Sequence, residues 1–368
     1  MGRALLGVAL VCCCGASLGS SACESKSADA PDTRTGKDAG VAGSASCAAA
    51  SADFRTPTVI VAEGNSNPSA LYVDDQYVYW SSTADNLSLR RADKNGCENR
   101  KIAAWQGGSQ PFASDASFTY WLATPDAAAG GNSLIHRVDR KTGAARDFAL
   151  PAAHLSGSLL ASDDAVMLYD LECLSVGQLA KADGNWQGFS LVPPAAPGAG
   201  GETVLVSDAS NIYCSSAKRV YSVAKSAQPW RTTVLHTSDY PIRGMAADSS
   251  SLYWVEHGPA PAEFRPPDQW AQSIYTLPKA GGVAQRLAVL DRAGFGGALL
   301  LDAARRTLYW IRQNSAHSDI LALPLGSTEV RYIARDRNLR GAIAQDTDYL
   351  YFTEDHAITK LRKPELSP

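Results

Sequence analysis

The chain has 368 residues, a formal net charge of −3 and 19% charged side chains. This near-neutral balance has no basic stripe, so it argues against a nucleic-acid partner. An apolar content of 45% is enough for a continuous core.

The first 23 residues have the layout of an export signal. Arg3 supplies a small positive region, Ala4 to Val11 an apolar stretch, and Gly15 to Ala22 a run of small residues. The apolar stretch is too short to span a bilayer as a mature helix. Cys23 follows Ser21-Ala22 and resembles the lipid-modified cysteine that ends a bacterial lipoprotein signal, although Ser20 stands where that pattern prefers Leu. Cys13, with Leu10 three residues before it, is a second candidate, and plain secretion after Ala22 is a third outcome. Residues 24–52 consist of Ala, Ser, Gly and Asp with almost no large apolar side chain. Such a segment cannot bury enough surface to offset its ordering entropy, so a flexible tether is expected there.

From about residue 53 to the end one pattern repeats. An Asp is followed five residues later by an aromatic pair or a degenerate form of it: Asp74…Tyr79-Trp80, Asp115…Tyr120-Trp121, Asp163…Leu168-Tyr169, Asp208…Tyr213-Cys214, Asp248…Tyr253-Trp254 and Asp346…Tyr351-Phe352. A stretched copy, Asp302…Tyr309-Trp310, is two residues longer through Ala303 to Arg306. Successive Asp positions lie 41, 48, 45, 40, 54 and 44 residues apart. Within each repeat, short apolar-polar alternations are separated by Gly, Asn, Asp and Ser, the marks of strands and turns. Short strands with a period of roughly 40–50 residues predict an all-β fold, a β-propeller with one four-stranded blade per repeat.

The chain ends predict how the ring closes. The last repeat stops after three strands, at Ala357 to Arg362, whereas Thr58 to Ala62 is a lone strand with no blade before it. Pairing the two gives seven blades, the seventh completed by the N-terminal strand, and removes the open edges of a linear array. The degenerate third and fourth repeats leave six or eight blades conceivable.

Tyr79-Trp80-Ser81-Ser82, Tyr253-Trp254-Val255-Glu256 and Tyr351-Phe352-Thr353-Glu354 resemble the motif of the YWTD propellers of lipoprotein receptors, and Leu277-Pro-Lys-Ala-Gly-Gly282 is similar to a turn of secreted bacterial propeller lipoproteins. The resemblance covers about 310 residues and implies fold. The Thr-Asp half of the motif is absent, the receptor propellers usually have six blades, and no functional residue carries over.

The repeated Asp suits a hairpin cap, its carboxylate accepting backbone N–H groups at the turn. The Tyr and Trp rings suit packing between blades. Three insertions, Ala123–Ser133, Pro193–Glu202 and Val255–Gln272, all fall by strand order on one face, and such insertions mark binding faces in repeat proteins. Phe264, Arg265 and Trp270 in the last of them, with Arg292, Arg335, Arg337 and Arg340 nearby, are the candidate ligand contacts. His257, His317 and His356 follow the second strands of blades 5, 6 and 7 and are candidate metal ligands, though no tight His spacing exists. Nucleophile motifs are absent, and no cofactor is expected.

Cys47, Cys97, Cys173 and Cys214 remain beyond the signal region. An oxidising compartment would pair them, and strand order favours Cys47–Cys97 and Cys173–Cys214 among the three connectivities. The reading is a non-catalytic monomer, secreted and lipid-anchored in the bacterial envelope (outer membrane or periplasm). It would touch the membrane only through its anchor and bind a protein, glycan or envelope component through the loop-rich face. The alternatives are a metal-dependent hydrolase or lyase using the His, Asp and Glu of the blade 5–7 loops, and a structural scaffold.

Overall fold

The computed structural model describes residues 56–366, apart from residues 65–66, 83–87, 105–111, 124–132, 151–156, 162–164, 171–174, 182, 191–203, 217, 226–230, 259–270, 291–297 and 314–317. The expected signal, the tether, Cys23 and Cys47 lie outside the described residues. So do Cys173 and Asp163.

The strands form seven four-stranded antiparallel sheets. Six of them are each made of four strands consecutive in sequence: blade 1 (68–104), blade 2 (112–149), blade 3 (157–190), blade 4 (204–237), blade 5 (242–290) and blade 6 (299–337). The remaining sheet is composite. Leu339–Gln345, Tyr349–Glu354 and Ala357–Arg362 come from the C-terminal end, and Thr58–Ala62 is added at the outer edge. Thr58 lies opposite Lys360 and Ala62 opposite Ala357. The expectation of seven blades is therefore restated as six continuous blades and one composite sheet, because no single stretch of chain supplies the four strands of the last. Blade 1 packs against the composite sheet and closes the ring, so the architecture is a β-propeller.

Successive residues of a strand point to opposite faces, so the Tyr-Trp pair serves two interfaces at once. Each Tyr packs toward the following blade: Tyr120 lies with Leu159 and Leu168, Tyr253 with Leu299 and Trp310, and Tyr351 with Leu71 and Trp80. Each Trp packs toward the preceding sheet: Trp121 lies with Ala70 and Leu89, and Trp80 with Ala342 and Ala344. Trp80, Trp254 and Trp310 are fully buried. Cys214 occupies the Trp position of blade 4 and is equally buried.

Asp and Tyr together tie each hairpin. In five copies one carboxylate oxygen of the Asp accepts two backbone N–H groups of its turn, as Asp74 does from Gln76 and Tyr77 and Asp346 from Asp348 and Tyr349. The other oxygen accepts the Tyr hydroxyl: Tyr79 at 2.9 Å, Tyr120 at 2.9 Å, Tyr213 at 3.1 Å, Tyr253 at 2.8 Å and Tyr351 at 2.8 Å. Blade 6 departs from this. Its turn is lengthened by Ala303 to Arg306, Asp302 bonds the Arg305 N–H, and the buried Tyr309 hydroxyl has no hydrogen-bond partner.

A cation from the next blade completes most of these turns. In five sheets the residue directly after the third strand reaches back to the Asp of the preceding sheet: Arg140 to Asp74 (2.9 Å), Lys181 to Asp115 (2.5 Å), Lys279 to Asp208 (2.6 Å), Lys363 to Asp302 (2.6 Å) and Lys94 to Asp346 (2.6 Å). Burial works to raise the Asp208 carboxyl, but hydrogen bonds from Lys279, Asn211 and Ser210 outweigh it and bring it down to about 2. Asp115, Asp302 and Asp346 are lowered by the same balance. Burial, then the neighbouring Asp, pushes the hydroxyls of Tyr213 and Tyr253 up to about 12.

Candidate functional site on the loop face

The Asp turns and the third-to-fourth connections occupy one face of the ring, which we call the turn face. Connections from second to third strands, and from each fourth strand to the next first strand, open on the opposite loop face. The described edges of the three insertions, at Ala123 and Ser133, at Ser190 and Val204, and at Gly258 and Ala271, all lie there.

The base of the longest insertion is fixed. The His257 N–H donates to Pro241 O and the Gly258 N–H to Ala271 O, each at 3.0 Å. The ring of Tyr240 rests on Gly258, where an added β-carbon would stand 2.1 Å from ring atoms, so this approach requires glycine. The expected loop Val255–Gln272 is thereby corrected at both ends. Val255, Glu256 and His257 finish the second strand of blade 5, and Gln272 begins the third. All four are buried, because they face neighbouring blades.

At the loop-face ends of the strands lies a layer of buried polar side chains. Glu256, 4% exposed, accepts the Trp254 indole N–H at 2.8 Å and faces His236 of blade 4 at 3.7 Å. Burial, then the Glu256 carboxylate, raises the Tyr275 hydroxyl, whose ring stacks on Trp254 at 5.7 Å. Gln272 spans the next interface. Its Oε1 accepts the Trp310 indole N–H at 3.1 Å, which leaves its Nε2 facing His257 Nε2 at 3.2 Å. An amide nitrogen only donates, so in this contact His257 Nε2 is the acceptor.

The remaining acids of this layer are also matched. Asp319 pairs with Arg312 at 2.9 Å, and Arg312 also donates to the Tyr332 hydroxyl. Glu354 takes a two-pronged bond from Arg337, Nε at 2.6 Å and Nη2 at 2.7 Å, and accepts the Thr359 hydroxyl. At the seam, Glu63 accepts the Ser82 hydroxyl at 2.6 Å and pairs with Arg90 at 3.3 Å. Each of these acids is engaged by a partner inside the fold, so the layer forms a polar floor at the loop-face ends of the strands.

Of the residues expected at a site, Phe264, Arg265, Trp270, Arg292 and His317 lie outside the described residues. Arg335 and Arg337 belong to the fourth strand of blade 6, and Arg340 to the first strand of the composite sheet, with only Asn338 between the strands. The expected basic rim is thus largely neutralised: Arg337 is engaged by Glu354, Arg340 by Asp355, and Arg335 stacks on Tyr332 at 3.9 Å. His257 is 2% exposed rather than a loop residue, because its strand runs on to position 257. His356 sits in the tight turn after Glu354 with φ 59°, its carbonyl accepting the Glu63 N–H. Among the described residues no group of three or more His, Cys, Asp or Glu side chains is placed to hold a metal ion. Cys97 and Cys214 are disulfide-bonded.

Sequence reading missed Gln272 and counted Glu256, Asp319 and Glu354 among the loop carboxylates beside the histidines, whereas all four are buried in one layer. Their shared position, at the loop-face end of a second strand or the start of a third, was the available signal.

No known protein family and no curated protein matches the chain. Solved structures do. The chain is similar to a GH74 enzyme of Niastella koreensis (14% identity, TM-score 0.59), over 83% of this chain and 53% of that one. It thus spans about half the length of that enzyme. It is also similar to YCF48 of Cyanidioschyzon merolae (10% identity, TM-score 0.57), over 84% and 99% of the two chains. The computationally designed Ika8 protein matches at 11% identity with TM-score 0.56, over 83% and 99%. At such identities the likeness establishes fold alone: the chain is a β-propeller.

Proposed function

We propose that this chain is a non-catalytic propeller, held to a bacterial envelope by its N-terminal segment, whose loop face binds a glycan or protein of that envelope. The observation that carries the reading is that the described edges of all three long insertions open on the loop face, the face on which Glu256, Gln272, Asp319 and Glu354 are held by partners within the fold. Among the described residues, each carboxylate of this layer is engaged by a partner within the fold. The pattern Arg3, Ala4 to Val11 and Cys23 supports the tether and the envelope location. No helix among the described residues is long and apolar enough to cross a membrane.

The test replaces residues 259–270 by a short Gly-Ser turn and measures retention on purified sacculi and on insoluble envelope polysaccharide, beside the thermal melt. Retention should fall sharply while the melting temperature holds, because the floor stays intact. Elemental analysis separates the metal-dependent alternative. A stoichiometric ion lost on the exposed substitution His356→Ala would replace the present reading.

A further inference from the structure

Three neighbouring sheets carry a second cation, three residues before the one that reaches back to the preceding Asp. Each rests on the aromatic ring that opens the second strand of its own sheet: Lys360 on Tyr349 at 5.2 Å, Arg91 on Tyr77 at 4.1 Å and Arg137 on Phe118 at 4.4 Å. Two of the three go on to a carbonyl of the next blade, Lys360 to Lys94 O at 2.8 Å and Arg91 to Arg140 O at 2.5 Å. Arg137 makes no such bond among the described residues and lies instead over a second ring, Phe148, at 5.3 Å.

Arg146 stands directly opposite Arg137 on the fourth strand of blade 2, and its guanidinium lies over the same Phe148 ring at 4.7 Å. Like charges facing each other across a strand pair repel. Among the described residues no acid pairs with either. The neighbouring Asp147 points to the opposite face of the sheet, where it meets His136 at 2.5 Å. The third-to-fourth connection of blade 3 forms the facing wall. Its Asp183 is turned onto its own loop, accepting the Asn185 N–H at 2.9 Å and the Asn185 side-chain amide at 2.5 Å. At Gly184 an added β-carbon would stand 2.6 Å from Phe148 Cδ1 and 3.8 Å from Arg146 Nη2. Any side chain there would crowd the ring that carries both guanidiniums.

We propose that Arg137 and Arg146 form an oxyanion site on the rim of blade 2 that takes a phosphate group. Arg137 is near the end of the third strand and Arg146 near the start of the fourth, so the site opens toward the turn face. Phe148 is buried beneath the pair while Arg146 is exposed, which leaves its donors within reach of a solute. A guanidinium offers paired N–H donors that match two oxygens of an oxyanion. A phosphate group carries about −1.5 to −2 charges at neutral pH and so balances both cations, where a carboxylate balances one. The site is separate from the loop face and does not depend on what that face binds.

The test titrates the purified full chain by calorimetry with inorganic phosphate, glucose 6-phosphate and acetate at constant ionic strength. Phosphate should bind at a single site, and acetate more weakly. Arg146→Gln should weaken phosphate binding at least about tenfold without lowering the melting temperature in phosphate-free buffer. Arg137→Lys keeps the charge, loses the paired donors and should weaken binding too. Arg100→Gln, at the matching position of blade 1 opposite Arg91, should leave it unchanged. Binding of both phosphates assigns the site to a terminal phosphate group, and binding of the inorganic ion alone assigns it to the free anion. The proposal is overturned if phosphate gives no saturable heat, or if acetate binds as tightly. It is equally overturned if Arg146→Gln keeps its affinity, or if Arg100→Gln loses as much.

Discussion

The two faces of this ring are held by different chemistry. On the turn face one device recurs: an Asp caps its hairpin, a Tyr hydroxyl completes it, and a Lys or Arg of the next blade neutralises it. On the loop face three described interfaces each use a different contact. His236 and Glu256 meet in one, Gln272 and Trp310 in the next, and Gln313 donates to Leu339 O in a third. Repetition where the blades are registered, with variety where loops emerge, leaves the loop face free to diverge without loosening the ring.

Removing the closing strand tests whether either face can hold the ring unaided, and this is the largest effect expected. Deleting residues 1–52 should leave a cooperative melt. Deleting residues 1–63 also strips Thr58–Ala62 from Ala357–Arg362, bares a sheet edge and should cause aggregation. Matching melts and solubility for the two truncations would mean that the seam contributes little.

Next in size is the core shared by both faces. Trp310→Ala should cost about 3–5 kcal/mol in denaturant unfolding, because it opens a cavity and strands Gln272 Oε1. Trp310→Phe keeps most of the volume and should cost about 1–3 kcal/mol, the penalty of the buried acceptor left unpaired. A result near zero for the second would show that water reaches Gln272.

The turn-face device separates its own copies. Tyr351→Phe loses a bond to Asp346 and should cost about 1 kcal/mol. Tyr309→Phe should be close to neutral, since the Tyr309 hydroxyl has no hydrogen-bond partner. Equal costs would mean that blade 6 follows the common pattern after all.

Acid should act through the same carboxylates. Asp208 stands at about 2 in the fold, below an unfolded value near 4, so its contribution is fully present above about pH 4 and is lost as pH falls toward 2. Asp115, Asp248, Asp302 and Asp346 are lowered too and add losses of the same sign. Asp208→Asn should lower stability by about 1 kcal/mol at pH 7, discounted for partial exposure, and flatten the decline below pH 4. An unchanged slope would take Asp208 out of the acid transition.

What the sequence disclosed follows the same division. The period of the Asp and Tyr-Trp pairs exposed the propeller, and the unpaired Thr58–Ala62 exposed the closing strand, because both are local patterns. The cations were nearly as periodic, standing one residue after the third strand in five of the seven sheets, at Lys94, Arg140, Lys181, Lys279 and Lys363. They escaped notice because their partners lie in another blade: Lys94 and Asp346 are 252 positions apart. The loop-face floor had no period to find. Glu256, His257 and Gln272 sit beside a loop in sequence, and only the extra length of their strands buries them.

The smallest expected effect is the most specific. In blade 6 the position after the third strand is Leu325, whose N–H donates to Arg306 O as that of Lys279 does to Ser250 O. The backbone therefore places position 325 where the other blades place their cation. The acid it would meet is Asp248, which accepts the Tyr253 hydroxyl and its own turn but has no cation of this kind. Arg306 already acts on Tyr253 from the same blade, which limits what another charge can add. Leu325→Lys should accordingly stabilise the protein by about 0.5 kcal/mol, the range of a partly exposed ion pair less some lost packing. Adding Asp248→Asn should cancel the gain, and a double-mutant cycle measures that coupling. A coupling of zero would show that the blade 5–6 interface holds without the device.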